Sequence, residues 1–391
     1  MAALRAVILV APLLLTGCMR KHFPRYPSDF RQYAWITNGG SNSVSVIDLV
    51  NMQAGVIAVG QNPSAIAVNP QSDEVYVANT GSSSVSVIDA RTNRVTATIA
   101  VHREPASIDV DSQGERAYVA NAGSNNVSVI DLKIWREIAA VGVGEEPDAA
   151  RISPDGDTLV VANRGSGSVS VIDTKTLKLR AVFSGCAQAA DTVILPDSSR
   201  AFVACTGGHQ VMAIGLARPT SQLPNERADH LLDLLDVGDT PVHLALKPDG
   251  GEIFVSNFGG DTVSEIATGT DEVGGAYVLG EHPLGSVVSA DNSTLWVSNF
   301  DANTVAAYSI DDGQLIHTTS VGEGPGPLAL SSDGFLLLAV DGRSGDVSVV
   351  RTTSYTPKGE PVMGSLFTVF PAGKHPNAIA VKAFRLKQGL G

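Results

Sequence analysis

Short stretches in which hydrophobic and polar residues alternate recur along almost the whole chain. In one representative unit they occupy residues 64–68, 74–79, 85–89 and 95–99, and they are rich in β-branched side chains. Alternation with a period of two, combined with β-branched residues, is typical of strands. The first two stretches are separated by the sequence NPQSD, which has the composition of a tight turn. The pattern therefore predicts units of four short strands and no long helix.

Three aligned columns of residues show that this unit repeats eight times. The third strand of each unit begins at a valine, at spacings of 41, 42, 42, 42, 52, 42 and 42 residues: Val44, Val85, Val127, Val169, Val211, Val263, Val305 and Val347. Six residues before each valine is a member of the Asn column: Asn38, Asn79, Asn121, Asn163, Cys205, Asn257, Asn299 and Asp341. Each first strand begins at a member of the Pro column: Pro63, Pro105, Pro147, Ala189, Pro241, Pro283, Pro325 and Pro376. Four-stranded repeats of about 42 residues are the blades of a β-propeller.

The two ends of the repeat region predict how the ring closes. The chain starts with a second strand at 34–38 and finishes with a first strand at 377–381. We therefore expect an all-β, eight-bladed propeller of four-stranded antiparallel blades, in which the C-terminal strand completes the N-terminal blade. Two insertions, at about 216–236 and 354–366, interrupt the period and are interpreted as lengthened outer strand connections.

The unit also resembles a known family. The sequence VYVANTG at 75–81, followed by VSVID at 85–89, resembles the YVTN (YncE-like) propeller repeat, and the match extends over about 34–384. Known members of that family have seven blades, whereas eight repeats are present here, which implies a wider axial channel. In architecture alone, the chain is also similar to the eight-bladed haem domain of bacterial nitrite reductases. The resemblance implies a fold and says little about biochemistry.

The N-terminus is typical of an export signal. Arg5 precedes a short apolar segment at 6–15, and the sequence LTGC ending at Cys18 resembles the bacterial lipobox. We expect a lipoprotein signal peptide at 1–17, a lipidated basic tether at 18–33 and a propeller at 34–391. The alternative is an ordinary secretory signal with an accidental cysteine. Because Met19 follows Cys18 instead of Asp, we expect the outer membrane, on its periplasmic face, or the cell surface.

Charge excludes one class of partner. The whole chain carries a net charge of -13, and the part after the basic N-terminal segment carries -17. Proteins that bind nucleic acids rely on basic surfaces that neutralise phosphates, so nucleic-acid binding is not expected. The expected partners are the membrane, through the lipid anchor, and an unidentified envelope protein or small ligand. We expect a monomer.

Two further cysteines lie in the repeat where it is most degenerate. Cys205 replaces the Asn column, and Cys186 lies three residues before Ala189 of the Pro column. An exported protein meets an oxidising compartment in which a Cys186–Cys205 disulfide is permitted. Two reduced core thiols are the alternative.

Function is sought where the repeats differ, because near-identical columns indicate scaffold. The Asn column is expected to cap its own turns through bonds from side chain to backbone. The variable residues beside the Pro column share one rim, with histidines expected opposite the carboxylates: His243, His282, His375, Glu104, Glu146, Asp148 and Asp191. Such side chains suit a divalent metal or an axial ligand of a haem-like tetrapyrrole. They also suit a merely solvated channel mouth.

The sequence lacks several motifs of catalysis and cofactor attachment. It contains no CxxCH for covalent haem, no GxSxG nucleophile elbow, no phosphate-binding loop and no HExxH. The leading hypothesis is therefore a lipid-anchored binding or interaction scaffold without catalysis and without a cofactor. The alternative is an axial-site protein that holds a metal, as in lyases or lactonases, or a haem-like tetrapyrrole.

Overall fold

A computed structural model describes residues 24–218, 226–355 and 361–386. Its strands form eight four-stranded antiparallel sheets, each one blade of a ring. From the axis outwards, blade 1 contains β32 (Pro376–Arg385), β1 (Phe30–Asn38), β2 (Ser43–Asp48) and β3 (Gln53–Ala58). The predicted closure is confirmed, because β32 pairs with β1 along its length.

The other blades follow in chain order, each running from the axis outwards. Blade 2 contains β4 (Pro63–Val68), β5 (Glu74–Asn79), β6 (Ser84–Asp89) and β7 (Arg94–Ala100). Blade 3 contains β8 (Pro105–Val110), β9 (Arg116–Asn121), β10 (Asn126–Asp131) and β11 (Arg136–Gly142). Blade 4 contains β12 (Pro147–Ile152), β13 (Thr158–Asn163), β14 (Ser168–Asp173) and β15 (Lys178–Ser184). Blade 5 contains β16 (Ala189–Ile194), β17 (Arg200–Cys205), β18 (Gln210–Gly215) and β19 (His230–Asp236).

Blade 6 contains β20 (Pro241–Leu246), β21 (Glu252–Asn257), β22 (Thr262–Ala267) and β23 (Glu272–Tyr277). Blade 7 contains β24 (Pro283–Val288), β25 (Thr294–Asn299), β26 (Thr304–Ser309) and β27 (Gln314–Ser320). Blade 8 contains β28 (Pro325–Leu330), β29 (Leu336–Asp341), β30 (Asp346–Tyr355) and β31 (Pro361–Pro371). Helical structure within the described ranges is limited to single 3-10 turns such as Thr80–Ser82, and these ranges contain no helix long and apolar enough to cross a membrane.

The first strand begins earlier than the sequence indicated. It starts at Phe30 instead of residue 34, because Phe30 pairs with Arg385 and Tyr33 pairs with Lys382 of the last strand. The C-terminal part of the predicted tether thus belongs to the ring. Residues 1–23, with Cys18 and the predicted signal peptide, lie outside the described residues.

The hydrophobic core lies between neighbouring blades. Between blades 1 and 2, for example, Trp35 and Val46 pack against Val77 and Ile88, and all four are buried. Each middle strand therefore has apolar side chains on both faces, one for each neighbouring blade. Such packing favours the ring over a single isolated blade.

The Asn column is buried and binds differently from the prediction. Asn79 donates from Nδ2 to the hydroxyls of Ser84 (3.2 Å) and Ser86 (3.0 Å) on the next strand, instead of to its own turn. Asn163 makes the same pair of bonds to Ser168 and Ser170. The column therefore joins the second and third strands of a blade, which explains why serines alternate in the third strand.

A glycine packs directly against most members of the Asn column. A Cβ atom placed on Gly60 would lie 2.5 Å from Cγ of Asn79, and one on Gly144 would lie 2.7 Å from Cγ of Asn163. In blade 5 the corresponding pair is Cys186 and Cys205, which the structure joins in a disulfide with a Cα–Cα distance of 4.7 Å. The disulfide thus replaces a glycine–asparagine contact of the other blades.

Candidate functional site

The Pro and Asn columns lie on one face of the ring, called here the upper face, and the axial channel opens there. The residue before each innermost strand has a left-handed backbone with φ between 48° and 64°: Asn62, Glu104, Glu146, Gln188, Thr240, His282, Gly324 and His375. This conformation is costly for residues other than glycine. The preceding blade supports it, since Glu146 donates its backbone N–H to Oδ1 of Asn125 (3.0 Å). These positions surround the mouth of the channel.

An acidic pocket lies on the upper face between blades 3 and 4. It has a volume of about 500 Å³, and its charged lining consists of Glu104, Glu145, Glu146, Asp148 and Arg164. Burial is the main cause that raises the pKa of Asp148; Arg164 opposes the rise, and Asp191 and Glu146 add to it. With four carboxylates and one guanidinium, the pocket attracts cationic groups.

The axial channel continues below this pocket. Its cavity of about 440 Å³ is lined by the innermost strands, and Asp148 contributes to both cavities. Small residues such as Ala65, Ala149 and Ala190 form much of the wall, together with Arg151, Asp191 and His243. The channel therefore combines an apolar surface with a few charged side chains, as ligand sites in proteins commonly do.

His243 and Asp191 contact each other in the channel wall. They lie in neighbouring blades 6 and 5, so for this pair the expected opposition of histidine and carboxylate is wrong. Nδ1 of His243 lies 2.8 Å from Oδ2 of Asp191, and Nε2 lies 3.0 Å from the carbonyl oxygen of Ser286. Both neighbours are acceptors, so both ring nitrogens must carry hydrogen. His243 is therefore an imidazolium and has no lone pair for a metal.

The pKa values agree with this charge assignment. Burial is the largest single influence on the pKa of His243 and lowers it, but the Asp191 carboxylate and the carbonyl of Ser286 together raise it, and the net shift is upward. Burial alone would raise the pKa of Asp191. His243, Arg151 and the backbone N–H of Leu244 stabilise the carboxylate, however, and lower its pKa to about 2. The pair links two innermost strands, because Asp191 also accepts from Leu244 N at 3.0 Å.

Two residues were missed by the sequence analysis: Arg151, which lines the channel, and Asp109, which lies on the innermost strand of blade 3. Nη2 of Arg151 lies 3.6 Å from Oδ1 of Asp191, and the Arg151 side chain is 40% exposed. Burial raises the pKa of Asp109, with Arg151 opposing the rise, and Asp109 accepts the backbone N–H of Ile152 at 3.0 Å. Both residues lie further along the innermost strands than the predicted rim residues, and that sequence position is the signal that could have indicated them.

His282 belongs to a second group, on the upper face of blades 6 to 8. Its Nδ1 lies 2.6 Å from Oδ2 of Asp301, and its ring centroid lies 4.6 Å from that of Phe258. Arg343 binds the other oxygen of Asp301 at 2.7 Å and lies 4.1 Å above the ring of Phe300. This aromatic cluster consists of Phe258, His282, Phe300, Asp301 and Arg343. The carboxylate of Asp301 is therefore the polar group that faces Nδ1, and Nε2 is the ring nitrogen on the far side from it.

The predicted rim residues thus separate into three places. Glu104, Glu146 and Asp148 line the acidic pocket, Asp191 and His243 form the channel pair, and His282 joins the aromatic cluster. His375 is exposed at the equivalent position of blade 1, where its ring packs over Gly40. Within the described ranges, no three His, Cys, Asp or Glu side chains are grouped so as to hold a metal ion.

Comparison with known proteins places the chain among propellers. Residues 71–214 match the model of the cytochrome D1 heme domain family, and no curated protein matches the sequence. Among solved structures, hydrazine synthase of Kuenenia stuttgartiensis is 23% identical, with a TM-score of 0.55 over 81% of this chain and 92% of that chain.

Two further structures share the fold at lower identity. A protein of unknown function from Desulfotomaculum acetoxidans is 16% identical, with a TM-score of 0.59 over 79% of this chain and 99% of that one. A candidate 6-phosphogluconolactonase from Bacteroides uniformis is 15% identical, with a TM-score of 0.60 over 90% of this chain and 100% of that one. These similarities concern the fold alone.

Proposed function

We propose that this protein is a lipid-anchored, non-catalytic binding propeller of the bacterial envelope, whose upper face holds a ligand or partner through a cationic group. The observation that carries the proposal is the acidic pocket, in which four carboxylates and one guanidinium line about 500 Å³ at the channel mouth. The pocket lies within the residues that match the family model. Anchoring rests on the LTGC sequence that ends at Cys18.

The repeat supplies a matched test of the pocket. Glu145 and Glu323 occupy the same position in blades 4 and 8, and each backbone N–H binds a serine hydroxyl, Ser166 at 3.1 Å and Ser344 at 3.0 Å. A fluorescent trilysine peptide should bind the wild type, and Glu145→Gln should weaken binding about fivefold, as expected for loss of roughly 1 kcal/mol. Glu323→Gln should leave binding unchanged. Equal losses in both variants would attribute binding to the overall negative charge and reject the pocket.

A second candidate function is the binding of a haem-like tetrapyrrole, and the aromatic cluster supports it. A bare metal ion needs several protein ligands, whereas the iron of a tetrapyrrole needs a single axial histidine. His282 suits that role, because Asp301 faces Nδ1 and Nε2 is the nitrogen that would bind the iron. Phe258 and Phe300 offer apolar contacts, and Arg343 offers a cation for a carboxylate. His243 does not fit, since both of its nitrogens are occupied.

Haem titration followed by absorption spectroscopy tests this candidate. His282→Ala should abolish the shift of the Soret band that accompanies axial coordination by histidine. His375→Ala is the matched control, because His375 has the same backbone conformation at the same repeat position, with φ of 51° in both residues. A wild-type protein that gives no shift, or a shift that survives in His282→Ala, would reject His282 as the ligand.

A further inference from the structure

We propose that the lower face of the ring is turned towards the membrane, so that the upper face with its acidic pocket points away from it. The lower face is defined by the turns between the first and second strands and between the third and fourth strands of each blade. This inference rests on the proposed lipid anchor at Cys18. Its physical basis is the place at which the N-terminal segment leaves the ring.

The N-terminal segment is fixed to the lower face. The hydroxyl of Tyr26 donates to Oδ2 of Asp333 at 2.5 Å, and Asp333 lies in the turn between β28 and β29. The ring of Tyr26 also stacks on Phe30, with 4.9 Å between centroids. Asp29 accepts the backbone N–H of Leu386 at 2.8 Å, just beyond the end of β32. The described chain therefore starts on the lower side of the ring.

The remaining tether is short. Five residues lie between Cys18 and Pro24, and the six extended Cα–Cα steps that join the two span about 20 Å. A six-residue strand is about 20 Å long, so the upper face lies roughly one blade height beyond the lower face. A lipid at Cys18 consequently holds the lower face near the headgroups, while the upper face stays accessible to partners.

Charge on the lower face adds a second feature. Each turn between the first and second strands of blades 2 to 8 carries an aspartate: Asp73, Asp111, Asp155, Asp197, Asp249, Asp291 and Asp333. Three basic side chains in the turns between third and fourth strands are paired with carboxylates: Arg91 with Asp73 (2.6 Å), Lys133 with Glu115 (2.7 Å) and Lys175 with Asp157 (2.7 Å). The excess of carboxylates repels anionic headgroups, and salt screens that repulsion. We therefore infer that the ring stands off an anionic bilayer and approaches it as salt is raised.

Energy transfer from single labels to the bilayer tests the orientation. The lipidated full chain is bound to vesicles that contain phosphatidylglycerol and an acceptor lipid, and one introduced cysteine carries the donor. Blade 2 offers the pair Thr92→Cys below and Gln61→Cys above, and blade 7 offers Asp311→Cys below and Glu281→Cys above. All four native residues are exposed. Cys186 and Cys205 are joined to each other and do not take the label.

The expected result is transfer about twofold more efficient from the lower label in both blades, given a height difference of about 20 Å. Transfer from the lower labels should rise further with salt. Equal transfer from both faces, or stronger transfer from the upper labels, overturns the orientation. Vesicle flotation of the wild type and of Cys18→Ser distinguishes a wrong orientation from a missing anchor. A wild type that does not float with the vesicles rejects the lipid anchor itself.

Discussion

Asp341 occupies the position that asparagine holds in most other blades, and its surroundings are those of an uncharged residue. The side chain is buried, and Oδ2 accepts from the backbone N–H (3.0 Å) and the hydroxyl (2.7 Å) of Ser348. Burial is the largest cause that raises the pKa of Asp341 to about 8, and the carboxylate of Asp346 adds to it. Below that pH the protonated side chain resembles the asparagine of the other blades.

Stability should therefore fall as pH rises from about 4 to about 8, because the folded state binds a proton that the unfolded state has released. Asp341→Asn should remove this slope and stabilise the protein at pH 8 by on the order of 2–4 kcal/mol. Urea unfolding at pH 5 and pH 8 measures both effects. The reverse change, Asn79→Asp in blade 2, should introduce a slope of the same sign. A wild-type stability that does not depend on pH over this range would contradict the assignment.

The contacts of single residues could not be predicted from the sequence. His243 and His282 were selected by their distance from the Pro column, which is a position within a repeat and carries no information about neighbours. The structure gives them opposite chemistry: Asp191 and Ser286 bind both nitrogens of His243, whereas only Nδ1 of His282 faces a carboxylate. That difference depends on which side chain the next blade supplies, and a single sequence does not encode it in any local pattern.

At the scale of the structural elements, blade 5 replaces a contact between glycine and asparagine that most other blades share. In six of the other seven blades a glycine before the first strand packs on the Asn column, and a Cβ there would lie 2.7 Å or less from Asn163 or Asn79; blade 3 has His102 in its place. Blade 5 has Cys186 and Cys205 in these two places, and both are buried. The columns were visible in the sequence, but the packing of glycine on asparagine required the coordinates.

The disulfide should therefore be replaceable by the pair that it substitutes. Cys186→Ala with Cys205→Ala should cost about 3 kcal/mol, the typical effect of a disulfide that closes a loop of this length. Cys186→Gly with Cys205→Asn should recover part of that loss, because the introduced asparagine can donate to the side-chain oxygen of Gln210, which holds the place of Ser84 in blade 2, although Met212 replaces the second serine. Guanidinium unfolding without reductant compares the three proteins, and dithiothreitol should destabilise only the wild type. If the Gly–Asn pair is no more stable than the Ala pair, the two contacts are not equivalent.

For the whole molecule, the periodicity was sufficient to predict the architecture. Eight repeats predicted eight blades. The chain starts with a second strand and ends with a first strand, which predicted a blade 1 built from both ends of the chain. The structure confirms both predictions. The start of the first strand was less predictable, since Phe30 is fixed by pairing with Arg385 from the far end of the chain. The acidic pocket was predictable only in part. The sequence indicated that its side chains lie at the rim, but the shape of the pocket depends on how two neighbouring blades meet.

Closure of the ring makes its stability depend on the last strand. β32 is the innermost strand of blade 1, and Ile379 and Val381 pack in the core between blades 1 and 8, while Phe384 packs between blades 1 and 2. Deleting residues 376–391 removes these side chains and leaves β1 with an unpaired edge. The free energy of unfolding should fall by at least about 4 kcal/mol, because each such side chain contributes roughly 1.5–3 kcal/mol on burial.

Removal of residues 387–391 alone is the control, since it leaves every described pair of β32 with β1 in place. Denaturant unfolding followed by limited proteolysis should show the control close to wild type. The longer deletion should unfold at much lower denaturant and be cleaved first in blade 1, where the unpaired β1 is exposed. Equal stability of the two truncated proteins would mean that the ring holds without its closing strand. That outcome would make the packing between blades the main source of stability.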